Sequence, residues 1–218
     1  MRAKICGIRS ESDLRIVLDA GVDAIGLICG INHRSEDEVT PELARQLTRI
    51  APPFVSTVLV THRDTPESIL DLADRTGVNT IQVHGLVTLD TLKQVRAGAG
   101  SRKVLRAVHV SGEEAIDDAI EAAPHCDALL LDSRSKDRLG GTGQTHDWSI
   151  SRRIVEAVAP FETPVILAGG LKPGNVAAAA EQVHPFGVDV NSGVDDASGD
   201  KSPELCREFV RNAAVHFG

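Results

Sequence analysis

Cys6 and Asp132 are the side chains of this 218-residue sequence best suited to moving protons. Asp132 directly follows the apolar run Ala128-Leu129-Leu130-Leu131. A carboxyl at such a point is either a general acid with a raised pKa or a cap for the loop beyond. Cys6 closes the run Ala3-Lys4-Ile5-Cys6. With neighbours that lower its pKa the thiol would be a general base; otherwise it is an inert buried cysteine. His84 is a substrate hydrogen-bonding group or a structural histidine. Asp189 lies within an apolar run, where an ionised group is rare unless it faces a site or a partner.

Two further stretches suit an anion. Pro164 to Leu171 and Gly187 to Val194 each carry a short apolar strand into a small-residue turn. Glycines let backbone N–H groups approach an anion closely, and a helix N-terminus adds partial positive charge. Gly169, Gly170, Ser192 and Gly193 are therefore candidate phosphate ligands. Gly141 and Gly143, in the loop Gly140-Gly141-Thr142-Gly143-Gln144-Thr145, are two more, and that loop reads as a mobile lid or a wide turn.

These residues must be held by the elements around them, and eight rounds of strand then helix can be counted. The strands expected are Ala3–Cys6, Ala24–Cys29, Val55–Val60, Thr80–Val83, Val104–Val108, Ala128–Leu131 and the two runs into the glycine turns. Helices are expected from Glu11, Pro41, Thr65, Thr88, Ile150 and Pro203, the last reaching Phe217. Ser10 and Thr40 cap the first two, Pro41 takes a first helical position, Ser111 caps the fifth helix and Pro173 starts the seventh. Strands alternating with helices imply parallel pairing, and eight units suggest closure into an α/β single-domain (β/α)8 barrel spanning residues 1–218. An open doubly wound sheet is the rival, but no G-x-G-x-x-G follows the first strand. In a barrel, function gathers on the turns after the strands, so Arg106 at the end of the fifth joins the candidates.

Aromatic residues make up only 3%, so the core must be aliphatic, as in a parallel barrel. A net charge of −8 with scattered acids argues against nucleic acid or an anionic membrane as partner. Four cysteines without C-x-x-C spacing, and no secretory segment, point to a reduced, cytoplasmic protein. The eight histidines show no H-x-x-x-H or H-E-x-x-H, so no metal site is expected.

The ordered set Lys4-Ile5-Cys6-Gly7-Ile8, Gln82-Val83-His84-Gly85, Leu131-Asp132-Ser133, Gly140 to Gly143 with Asp147-Trp148, Leu167 to Leu171 with Asn175-Val176, and Asp189 to Val194 with Gly199-Asp200-Lys201 resembles phosphoribosylanthranilate isomerase. The resemblance covers nearly the whole chain in the same order. It implies a (β/α)8 barrel of tryptophan biosynthesis that performs a cofactor-free Amadori rearrangement of N-(5′-phosphoribosyl)anthranilate. It implies Asp132 as the acid that opens the ribose ring, Cys6 as the base that removes the C2 proton, and the two glycine turns as the phosphate site. Gln82, His84, Arg106 and Asp189 would contact the substrate of a monomer or homodimer. One position departs from the pattern. Where the family carries an arginine for the anthranilate carboxylate, this sequence has Asp37, with Arg34 and Arg9 as the cations able to replace it. The alternatives this leaves are the same chemistry on another phosphoribosylamine, or a silent paralogue that binds phosphate ligands.

Overall fold

The computed structural model describes residues 1–135, 138–139 and 146–214. Eight parallel strands alternate with helices: β1 Arg2–Ile5, β2 Ala24–Ile28, β3 Ser56–Thr61, β4 Thr80–Val83, β5 Lys103–Val110, β6 Ala128–Ser135, β8 Val165–Leu167 and β9 Gly187–Val190. They pair in the order β1-β2-β3-β4-β5-β6-β8-β9, and β9 returns to β1, which closes the barrel. A two-residue strand, β7 Arg138–Leu139, pairs antiparallel with the end of β6. The helices are α1 Glu11–Asp19, α2 Pro41–Ile50, α3 Pro66–Thr76, α4 Leu89–Gly98, α5 Glu114–Ala122, α6 Trp148–Val158, α7 Val176–Val183 and α8 Pro203–Ala213.

Local chemistry sets these boundaries. Ser10, Thr40, Thr65, Thr88, Asp147 and Ser202 each sit in an extended conformation and accept a backbone N–H from the first helical turn, which satisfies donors the helix leaves orphaned. Two expected helix starts differ. Ser111 does not cap α5; its hydroxyl bonds the Glu114 side chain instead. Pro173 precedes α7 in a turn that Asn175 pins, accepting from Lys172 N–H and donating to the Gly170 carbonyl. β6 also runs four residues past the apolar stretch, because β5 pairs with Asp132 and Ser133 and β7 pairs with Arg134 and Ser135.

Strand side chains alternate between the two faces of the wall. Outward residues such as Ile5, Leu27, Leu59, Ile81, Val108 and Leu131 pack in one continuous core. Inward apolar residues form two smaller clusters, Cys6 with Val58 and Val60, and Ala107 with Leu130 and Ala168. Between those clusters the inward positions are polar: Lys4, Gln82, His84, Asp132 and Asp189, all less than 10% exposed. Buried polar groups in a barrel interior cost free energy unless paired, so their clustering marks the working end.

Candidate active site

At the C-terminal mouth Gln82, His84, Asp132 and Asp189 help enclose a cavity of about 810 Å³, a size that suits a small ligand. Cys6, Asp132, Gln82, His84, Asp189, Arg34 and Asp37 line it, together with Gly169, Gly170, Ser192 and Gly193. Residues drawn from most of the strands thus converge on one space. Gly141 and Gly143 lie outside the described residues.

The thiol occupies one side. Cys6 fits against β2 because position 26 is glycine; a Cβ there would sit 2.5 Å from its Sγ. Below it Lys4 Nζ donates to Asp189 Oδ2 at 2.7 Å, an ion pair with side chains 5% and 8% exposed. Burial works against the Lys4 charge, but Asp189 and the sulfur outweigh it and hold its pKa above the ordinary value. The lowered pKa on which a resting thiolate would depend is not found. Burial pushes Cys6 up to about 11, with Lys4 and Lys201 opposing and Asp189 and Asp37 reinforcing. Asp189 Oδ1 has no hydrogen-bond partner among the described residues, which leaves an acceptor for a ligand hydroxyl.

The carboxyl occupies the other side. Asp132 Oδ1 accepts its neighbour Ser133 N–H at 2.8 Å, and Oδ2 stands 3.4 Å from His84 Nε2. Gln82 Nε2 lies 3.1 Å from His84 Nδ1 and orients the ring. Of the two readings open for Asp132, the bond from Ser133 N–H fits the cap, and the raised pKa of the other is not found. Burial raises the Asp132 pKa, but His84, His109 and the Ser133 N–H together overcome it and leave it below the usual carboxylate value. The free protein therefore holds an ionised carboxylate against an imidazole. His62 stacks on His84 with centroids 5.3 Å apart, and burial pulls its pKa down to about 4.

The glycine turn after β8 sits beside the carboxyl. Gly169 and Gly170 have φ of +84° and +65°, a left-handed pair that few other residues adopt. At Gly169 a Cβ would also collide with the Ser133 backbone, 2.5 Å from its nitrogen. Glycine here keeps β6 and the turn after β8 in contact, and so keeps Asp132 next to that turn.

Known proteins are similar to this chain in sequence and in fold. A model of the N-(5′-phosphoribosyl)anthranilate (PRA) isomerase family matches residues 3–212. The chain belongs to that family. It is 43% identical to the N-(5′-phosphoribosyl)anthranilate isomerase of Haloferax volcanii over 218 residues, covering 100% of this chain and 95% of the relative. The phosphoribosyl anthranilate isomerase of Thermotoga maritima superposes with a TM-score of 0.84 at 34% identity, covering 98% of both chains. A family structure in complex with reduced 1-(o-carboxyphenylamino)-1-deoxyribulose 5-phosphate gives 0.80 at 32% identity, again over 98% of both chains. The protein is an isomerase of tryptophan biosynthesis.

Within this isomerase, one expected contact lies elsewhere. Arg106 is at an outward position of β5, between Val104 and Val108, which pack in the outer core. Its guanidinium donates to the Gly85 carbonyl at 2.6 Å and is absent from the cavity lining. Arg106 thus braces the turn after β4. The acid at the rim is real, but it is already engaged. Asp37 accepts from Asn191 Nδ2 at 2.8 Å and lies 3.9 Å from Arg9 Nε. Arg9, which also lines the cavity, is tied to the Gly199 carbonyl and to Asp200. Lys201 is buried at the base of this rim, bonded to Asp195 and Asn191. Lys4, Asn191 and Lys201 were not marked as site residues by the sequence reading. The inward parity they share with Cys6 and Asp189, or their place in the last strand's turn, was the available signal.

Proposed function

We propose that Asp132 and Cys6 carry out the Amadori rearrangement of N-(5′-phosphoribosyl)anthranilate to 1-(o-carboxyphenylamino)-1-deoxyribulose 5-phosphate. The observation that carries this reading is the placement of one carboxyl and one thiol on different walls of a cavity that also holds two glycine turns. Asp132 gives a proton to the ribose ring oxygen as the C1–O bond breaks and the amine nitrogen forms C1=N. Cys6 removes the proton from C2, and its electrons pass to C1 to give an enolamine. Protonation at C1 and loss of the enol proton leave the C2 ketone. C1 is reduced and C2 oxidised, so no external oxidant or cofactor enters the balance.

Both resting pKa values are set for the opposite protonation states, and the substrate is what corrects them. Its phosphate and carboxylate bring negative charge that raises the proton affinity of Asp132. The iminium formed on ring opening brings positive charge beside Cys6 and favours the thiolate. The phosphate takes the Gly169-Gly170 and Ser192-Gly193 turns. Asp189 Oδ1 accepts a ribose hydroxyl, and Arg9 and Arg34 meet the anthranilate carboxylate above the Asp37–Asn191 pair.

Turnover of N-(5′-phosphoribosyl)anthranilate, followed by loss of its fluorescence, should give kcat/KM of about 10⁴ M⁻¹s⁻¹ or more. The variant Asp37→Arg should be neutral or harmful, since the rim already carries two cations. A gain of activity in that variant would show that Arg9 and Arg34 do not serve the carboxylate.

A further inference from the structure

The acid side of the cavity has a geometry that the isomerisation does not call for. His84 follows β4, His109 lies near the end of β5 and Asp132 lies within β6, and one ligand atom from each lies within 4.8 Å of the others. His84 Nε2 and Asp132 Oδ2 are 3.4 Å apart. That is long for a charge-assisted hydrogen bond, and it matches the edge of a tetrahedron with bonds of about 2.0–2.1 Å, roughly 3.4 Å. His109 places its Nε2 3.1 Å from the His84 carbonyl, while its Nδ1 is shut off from solvent with no partner. A ring nitrogen donating to a carbonyl, with the other nitrogen bare, is how a metal-binding histidine is usually held. Gln82 completes the support. Its Oε1 also lacks a partner, and turning the amide over would let that oxygen accept from His84 Nδ1–H when Nε2 is engaged.

We propose that His84, His109 and Asp132 bind a divalent first-row transition-metal ion, with its remaining position open to the cavity, and that the bound ion inhibits the enzyme. Two imidazoles and a carboxylate are a donor set that such ions accept. On binding, the His84 Nε2 proton moves to Nδ1, where the turned Gln82 oxygen accepts its hydrogen bond, so the ring stays neutral and no electron is transferred. It also holds Asp132 ionised, so the ring oxygen loses its acid. The inhibition rests on the role assigned to Asp132 above; the binding does not.

Zinc and cobalt(II) are the probes. Calorimetry at neutral pH should find one zinc ion per chain, with turnover falling in parallel. The cobalt-loaded protein should show visible d–d absorption of a nitrogen and oxygen site, without thiolate-to-cobalt charge transfer. His109→Gln, outside the cavity lining, should weaken zinc binding at least about tenfold and relieve inhibition to match, each read against that variant's own metal-free rate. His109→Asn takes its place if circular dichroism shows the glutamine variant unfolded. No stoichiometric binding, a thiolate band that points to Cys6, or unchanged affinity in the folded variant would overturn the proposal. Binding with the expected cobalt spectrum but undiminished turnover would instead count against Asp132 as the acid.

Discussion

The two mouths of the barrel are built from the same strands and treat polar groups in opposite ways. At the C-terminal mouth Asp189 Oδ1, Gln82 Oε1 and His109 Nδ1 are buried without partners. At the N-terminal mouth, around a second cavity of about 600 Å³, carboxylates are fully engaged. Asp23 accepts from Ala3 N–H and pairs with Arg2 at 2.7 Å. Asp127 accepts from Val104 N–H and pairs with Arg96 and Lys103, each at 3.1 Å. Asn79 does the same for β3 through Thr57 N–H. Each of these side chains staples the start of one strand to the turn before its neighbour. The lesson is that one end spends its polar groups on closing the wall, while the other keeps acceptors free at a cost in stability.

Mutation should separate the two ends. Cys6→Ser and Asp132→Asn should each lower kcat by at least about 10³-fold, near 4 kcal/mol in barrier, while both still bind a ribose phosphate. Retained turnover in either variant would remove that residue from the mechanism. Asp127→Ala should do the reverse. Loss of its strand-start bond and two cations should cost roughly 1–3 kcal/mol in urea unfolding and leave kcat within about twofold. A large fall in kcat there would mean that the two mouths are not independent.

The smallest effect concerns pH. Burial is the main cause that pulls both His62 and His109 from the ordinary 6.5 down to about 4. Between those values the unfolded chain binds protons that the folded chain refuses, so stability rises with pH across the window. It is complete above about 6.5 and is lost as pH falls toward 4. His62→Gln should flatten part of that slope in unfolding curves recorded across the window. An unchanged slope would place the acid sensitivity elsewhere.

Much of the fold could be read from residue types alone. Ser10, Thr40 and Pro41 announce helix starts, and Ala128 to Leu131 announces a buried strand with Asp132 at its end, because these signals are local. Arg106 shows where such reading stops. A strand's alternation says that 104, 106 and 108 share a face, but only packing against the helices says that the face points outward. The protonation states were equally hidden. Position left Cys6 and Asp132 each with two readings, the family resemblance implied an acid–base pair, and their resting pKa values depend on Lys4, His84 and burial. The His84, His109 and Asp132 group has no motif spacing, since three successive strands supply one member each.

The bond between Lys4 and Asp189 joins residues 185 apart in the chain, across the seam where β9 meets β1. Closing so long a loop is entropically slow, and little rewards it until the last strand docks. During synthesis Cys6 emerges well before Asp189 and Lys201, so its surroundings do not exist until β9 and the turn beyond it have followed. Catalytic competence should therefore appear only with closure of the seam, after the rest of the wall is in place. In refolding, recovery of turnover would then act as a clock for the final step, later than the return of helical signal.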